Sequence, residues 1–170
     1  MTAAMSNAFD IIIAGGGVMG CATATYLLRA EPTLKVAVIE RDPTYARSST
    51  VLSDGNTRLQ FNLKENIQMS LYGLEVLARF GDDLAVDGER PDPGFRQQGN
   101  LFLIDAGSEA ESREGLALQQ SLGCDVVWLE SAEIAGHFPY AINGGCVGAT
   151  FGRRDGTMSP LAVLMAYRNK

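Results

Sequence analysis

Phe9-Asp10-Ile11-Ile12-Ile13-Ala14 is a short, β-branched apolar run, the pattern of a strand buried on both faces. A glycine cluster interrupts it. Val18 to Ala30, rich in Ala and Leu, predicts a helix that stops at Glu31-Pro32, because proline disfavours helix at the residue before it. Leu34 to Ile39 predicts a second strand, closed by Glu40. Strand, tight loop, helix and strand within about 30 residues make a βαβ unit with parallel pairing. Asp42 to Thr57 is polar and turn-rich, and reads as a loop. Asn62 to Phe80 carries Ile67, Leu71, Leu74 and Leu77 at helical spacing, an amphipathic helix. Gly81 to Gly94 is charged, contains Pro91 and Pro93, and reads as a surface connection.

Beyond it the pattern changes. Gly99 to Asp105 predicts a strand, Glu109 to Leu122 a helix, and Asp125 to Leu129 another strand. Ser131-Ala132-Glu133 opens a short helix that ends before Pro139. Gly144 to Phe151 predicts one more strand, Arg153 to Pro160 a turn, and Leu161 to Tyr167 the start of a helix. The alternation predicts an α/β fold. No internal repeat or low-complexity tract interrupts it.

The glycine cluster carries the chemistry. Gly15, Gly17 and Gly20 fit G-x-G-x-x-G, a pattern that is weak alone and strong between a strand and a helix. Gly15 permits the tight turn, Gly17 lets the backbone approach a pyrophosphate, and Gly20 allows close packing of helix on strand. Val18 and Met19 open the helix, where free N–H groups and the positive dipole end stabilise phosphate charge. Glu40 follows about 20 residues later, where a carboxylate accepts hydrogen bonds from a ribose diol and repels a 2′-phosphate. The expected ligand is therefore FAD or NAD rather than NADP.

Charge and cysteine usage narrow the classes. A net charge of −6 with scattered basic residues argues against a nucleic-acid surface. Cys21, Cys124 and Cys146 lie far apart with no C-x-x-C spacing, so neither a disulfide scaffold nor a zinc site is expected, and no other metal site is indicated. Reduced thiols, the lack of a basic segment in Met1–Ala8 and the glycine-broken apolar stretch Phe9–Leu28 exclude a signal peptide or membrane span from the reading. A cytoplasmic location is the default expectation; oligomeric state is not legible.

Several segments together resemble a known family: the glycine loop, Glu40-Arg41-Asp42, Ser48-Ser49-Thr50, and Arg58 through Ser70 (RLQFNLKENIQMS). They look like the amine- and amino-acid-oxidising FAD enzymes, which include D-amino-acid oxidase, glycine oxidase, monomeric sarcosine oxidase and dimethylglycine dehydrogenase. The likeness is strongest to the sarcosine and dimethylglycine side and to its "FAD-dependent oxidoreductase domain" relatives. Gly148 through Pro160 resembles that family's return from the substrate domain to the FAD domain. The resemblance implies FAD as cofactor, with Gly15, Gly17 and Gly20 at the pyrophosphate, Glu40 at the adenosine ribose and Arg41 near the adenine. It implies that Ser48, Ser49 and Thr50 serve the phosphates and ribityl chain, and that Ser53 begins a loop beside the flavin. In that loop Asp54 and Asn56 stand where relatives carry small residues, and a carboxylate there would oppose flavin reduction. Arg58 is the candidate for a charge near the active site; a surface or structural salt bridge is the alternative for it.

The activity so implied is oxidation of a C–N bond in a small amine or N-methyl amino acid, with hydride passing to the flavin and water hydrolysing the imine. Residues 1–90 would form the first FAD-binding half, 91–147 the start of a substrate domain, and 148–170 a return segment. Members of the family usually run to more than twice this length, so an N-terminal fragment is expected. Two other readings remain: an NAD-linked dehydrogenase, and an inactive truncated dinucleotide-binding module. His137, Trp128 and Tyr140 read as structural or packing residues rather than a general base or flavin stackers.

Overall fold

The computed structural model describes residues 8–141 and 144–170. Met1–Asn7, most of the stretch read for a leader, lie outside them, as do Ile142 and Asn143. In chain order the elements are β1 (Ile11–Ala14), α1 (Val18–Ala30), β2 (Val36–Ile39), β3 (Asn56–Thr57), α2 (Lys64–Ala78), α3 (Phe80–Asp83) and β4 (Asn100–Asp105). They continue with α4 (Glu109–Ser121), β5 (Val126–Glu130), α5 (Ser131–His137), β6 (Cys146–Gly152), β7 (Gly156–Thr157) and α6 (Pro160–Asn169). The elements gather into two units. The first takes the chain up to Asp54, Phe80–Pro93 and Ser159–Lys170; the second takes Gly55–Arg79 and Gly94–Met158. The contiguous blocks 1–90, 91–147 and 148–170 read from the sequence do not coincide with these units.

In the first unit β1 and β2 pair in parallel, from Ile11 opposite Val36 to Ala14 opposite Ile39. α1 joins them and α6 packs beside α1. The expectation that β1 is buried on both faces is corrected. Ile11 and Ile13 are half-buried, whereas Ile12 is 63% and Ile39 58% exposed. α1 covers the Ile11/Ile13 face, and no element of this unit among the described residues covers the other. Gly81–Gly94 also differs from a plain surface connection. Phe80 and Leu84 are buried with Leu164, and Phe80 meets the Tyr167 ring edge-on at 6.0 Å. α6 starts where Pro160 supplies the first helical position and the Ser159 hydroxyl accepts the Ala162 N–H at 3.2 Å.

The second unit is built on a three-stranded antiparallel sheet in the order β4-β6-β5. One sheet face supplies Val126 to a core with Leu59, Ile67, Leu74, Leu116 and Cys124, so the apolar stripe of α2 meets α4 and β5 there. Trp128 lies on the same face, over Gly148, where a Cβ would come within 2.3 Å of its ring. The other face carries Phe151, which Phe138 meets at 5.0 Å. α5 begins with a capping box, in which the Glu133 carboxylate accepts the Glu130 N–H at 2.8 Å.

Two short strands were not predicted. Asn56 pairs with Thr157 and Thr57 with Gly156 across some hundred residues, and two-residue strands leave no local periodicity to read. The helix expected over Asn62–Phe80 ends at Ala78, and Phe80 starts α3 instead.

Candidate dinucleotide site

The site is assembled where β1 turns into α1. Gly15 has φ +101°, a conformation that side-chain-bearing residues rarely adopt, and its N–H donates to the Ile39 carbonyl at 2.8 Å. That bond ties the turn to the end of β2. Gly20 sits so close to the turn that a Cβ would lie 1.9 Å from the Gly15 carbonyl oxygen. Gly17 caps α1, and a Cβ there would approach the Thr50 hydroxyl to 3.2 Å.

The first N–H groups of a helix have no partner within it. Here the Val18 amide donates to the Thr50 Oγ1 at 3.1 Å. The Met19 and Gly20 amides have no such partner among the described residues, and the first turn carries no acidic residue. Amides and dipole together form an anion-binding terminus.

Glu40 leaves the end of β2 and is held from two sides. Its Oε2 accepts the Gly16 N–H at 2.8 Å and its Oε1 the Asp42 N–H at 2.9 Å. The Asp42 and Gly16 amides hold its carboxyl below the usual carboxylate range. An ionised carboxylate has about four acceptor positions, so each oxygen keeps capacity for a ribose hydroxyl. A cleft of about 760 Å³ opens here, lined by Gly15, Glu40, Arg41, Arg47, Ser48 and Ser49 among others. Amides for a pyrophosphate and a fixed carboxylate for a diol fit an adenine dinucleotide.

The remaining sequence candidates distribute as follows. Ser48 accepts the Val51 N–H through its hydroxyl at 3.2 Å, and Ser53 donates its N–H to the Thr50 carbonyl at 3.2 Å. Met19, 79% exposed, lies off the cleft lining, as do Gly17, Val18, Gly20, Thr50 and Ser53. Gly16 and Tyr45 were missed by motif reading. A Cβ on Gly16 would fall 2.9 Å from the Glu40 Cβ, and the buried Tyr45 closes the same corner from a left-handed φ of 57°. Close packing between a loop and a distant side chain leaves no periodic signal.

The family model for FAD-dependent oxidoreductases of the D-amino-acid oxidase type matches residues 10–170. The chain belongs to this FAD-dependent family. FAD is therefore its cofactor, which sets aside the NAD-linked alternative. It is 39% identical over 166 residues to FAD-dependent oxidoreductase domain-containing protein 1 of Xenopus laevis, covering 95% of this chain and 33% of that protein. It is 30% identical over 133 residues to the mitochondrial L-2-hydroxyglutarate dehydrogenase of Caenorhabditis elegans, covering 74% of this chain and 29% of that one. Among solved structures it matches L-proline dehydrogenase from P. horikoshii with a TM-score of 0.77 at 22% identity, covering 94% of this chain and 40% of that chain. The chain thus spans about a third of the length of the curated relatives it matches.

In the second unit this flavoprotein chain presents Arg58. Its guanidinium carbon lies 4.9 Å from the Phe61 ring centroid and 5.6 Å from that of Phe102. The residue is exposed and makes no ion pair among the described residues. His137 lies in the last turn of α5, its ring 6.4 Å from Phe138. Trp128 is packed between the Arg113 guanidinium, 3.9 Å from a ring centroid, and Gly148. Tyr140 is corrected: at 96% exposure it packs no core. No helix among the described residues is long and apolar enough to cross a membrane.

Proposed function

We propose that the protein oxidises the C–N bond of a small amine or N-methyl amino acid, with residues of the first unit holding FAD and Arg58 anchoring the substrate's carboxylate. The observation that carries the substrate half is Arg58 itself. An exposed guanidinium steadied over two aromatic rings, in no direct ion pair among the described residues, is a ready partner for a carboxylate, which it can grip with two parallel N–H donors.

FAD, when bound, supplies the two-electron acceptor for the oxidation. The chain's own part is binding and orientation. The Met19 and Gly20 amides hold phosphate charge, Gly15 and Gly17 let the backbone come close, and Glu40 accepts the ribose hydroxyls. Arg41, Ser48 and Ser49 complete the polar lining, and Thr50 and Ser53 serve the cofactor beyond that cleft. Cys21, Cys124 and Cys146 form no disulfide among the described residues, which supports a reducing compartment such as the cytoplasm.

A second reading has its own support. The likeness to an L-2-hydroxyglutarate dehydrogenase favours oxidation of the C–O bond of a 2-hydroxy acid, whose carboxylate Arg58 would hold equally well. Anaerobic bleaching of the FAD-loaded protein separates the two. Bleaching by sarcosine, proline or glycine and not by 2-hydroxyglutarate supports C–N oxidation; the reverse pattern supports the second reading. Absence of bleaching by either class leaves a dinucleotide-binding module without this chemistry, and overturns both.

A further inference from the structure

We propose that Asp155 is the positioning residue for Arg58, its carboxylate fixing the segment that carries the guanidinium and thereby setting how firmly an anionic group is held. The inference rests on reading Arg58 as the carboxylate anchor. Asp155 lies on the turn between β6 and β7, 96 residues from Leu59, and is fully buried. Its Oδ1 accepts the Leu59 N–H at 3.0 Å; its Oδ2 accepts Gln60 Nε2 at 3.0 Å and Asn100 Nδ2 at 3.4 Å.

The ties continue around it. Gln60 Nε2 also donates to the Asn100 carbonyl at 3.0 Å, and Asn100 Nδ2 donates to the Thr57 carbonyl at 3.4 Å. The side-chain amides of Asn56 and Asn100 bond each other reciprocally, at 2.9 and 3.1 Å. The backbone is therefore pinned on both sides of Arg58, at Thr57 and at Leu59. Phe61 and Phe102 guide the side chain, and the charged head stays exposed.

A carboxylate is the group this arrangement needs. Three donors converge on it, and an asparagine has a single acceptor oxygen with an NH₂ that would face the NH₂ of Gln60. Burying a charge is costly, and Asp155 forms no direct ion pair among the described residues. Burial pushes its carboxyl above the usual range, against the pull of its three donors and of the Arg58 charge. The surrounding turn is shaped to it: a Cβ on Gly152 would lie 2.3 Å from Asp155 Oδ2. A costly group in a fitted pocket, bonded to the residues beside one exposed arginine, is what a positioning role requires.

The test is a double-mutant cycle read by carboxylate binding. Benzoate, a small monocarboxylate, is titrated calorimetrically into the 170-residue chain, with benzyl alcohol as the neutral control. Asp155→Asn is expected to weaken benzoate binding about tenfold and to speed hydrogen exchange at the Leu59 amide. Arg58→Lys is expected to weaken it by about as much, because an ammonium lacks the two-pronged grip, and adding Asp155→Asn to it should cost little more. Unchanged benzoate affinity in a folded Asp155→Asn chain, or a loss that persists in full in the Arg58→Lys background, overturns the positioning role and leaves a structural one. Absence of benzoate binding to the parent chain, or an Arg58→Ala chain with unchanged affinity, overturns the anchor reading itself. If Asp155→Asn does not fold, Asn100→Ala removes the side-chain ties to Asp155, Thr57 and Asn56 with the carboxylate left in place. A loss of about threefold is then expected, and unchanged affinity overturns the proposal.

Discussion

Replacing Gly20 by alanine adds one carbon where the structure has no room for it. The new Cβ would stand 1.9 Å from the Gly15 carbonyl oxygen, 3.1 Å from its carbonyl carbon and 3.3 Å from Ile13 Cγ2. Ordinary contact begins near 3.4 Å, so α1 and the turn must separate by about 1.5 Å. The obstructing atom is backbone, fixed by the Gly15 N–H bond to Ile39, so no side chain can swing aside. Overpacking of this kind typically costs 1–3 kcal/mol, and the backbone obstruction puts this case at about 3 kcal/mol or more. For a chain of this size that corresponds to a fall in Tm of roughly 6–12 °C. The same movement pulls the first-turn amides away from the position of a pyrophosphate. Gly73→Ala is the matched control, because it lies inside α2 with nothing within 4 Å of the added carbon. It should stabilise α2 by about 1 kcal/mol. Thermal and urea unfolding of both variants, with FAD retention measured after desalting, provides the assay. A Gly20→Ala chain that melts with the parent and keeps FAD would refute the packing account of this glycine.

Glu40→Gln puts an amide NH₂ against the Gly16 or Asp42 N–H and removes the charge that accepts the ribose diol; FAD affinity measured by flavin fluorescence should fall about ten- to a hundredfold. Because the Asp42 and Gly16 amides lower the Glu40 pKa, its contribution to folding is full above the ordinary carboxylate range and is lost as the pH falls from there through the depressed folded value. In the folded chain the carboxylate stays ionised through the ordinary range, so FAD affinity titrated downward should hold to lower pH than an unperturbed glutamate would allow, if the fold survives. Asp155 has the opposite sign. Its raised folded pKa means that the stability it contributes is complete at low pH and is lost as pH rises through that folded value, a slope that urea titrations should show in the parent and not in Asp155→Asn. Gly148→Ala would press a methyl into the Trp128 ring and should destabilise the second unit by about 1–3 kcal/mol, seen as a loss of tryptophan burial at lower urea. Ser159→Ala removes the hydroxyl that caps α6 and should cost about 1 kcal/mol by the same measurement.

How much of this was legible from the residues depended on distance along the chain. The βαβ unit could be read because each signal is local: the β-branched run before Gly15, the Ala- and Leu-rich helix, and Glu40 at the end of the next strand. α1 begins and ends at the residues the pattern predicts, Val18 and Ala30. Ile67 and Leu74, taken from helical spacing, are buried in the second unit's core. What escaped depends on contacts between segments far apart in sequence. The β3–β7 pairing, the closure of Glu40 against Gly16 and Tyr45, and the Asp155 network all join residues whose neighbours give no periodic hint. Asp155 reads as an ordinary turn aspartate, since Arg153-Arg154-Asp155-Gly156 is a turn by composition. Only the fold shows that its carboxylate is buried beneath the Arg58 segment. The exposed face of β1 was misread for a related reason. A run of three isoleucines reports that a strand is apolar, not how many of its faces are covered.

The central claim is that this chain's β1–α1–β2 unit holds FAD by its adenine dinucleotide half. The direct measurement is a titration of FAD into the purified chain, followed by quenching of flavin fluorescence and repeated with ADP present as competitor. The account requires saturable binding at one site, displaced by ADP and lost on Gly20→Ala while the second unit stays folded. A folded chain that binds no FAD, or binds it without competition from ADP, would contradict it.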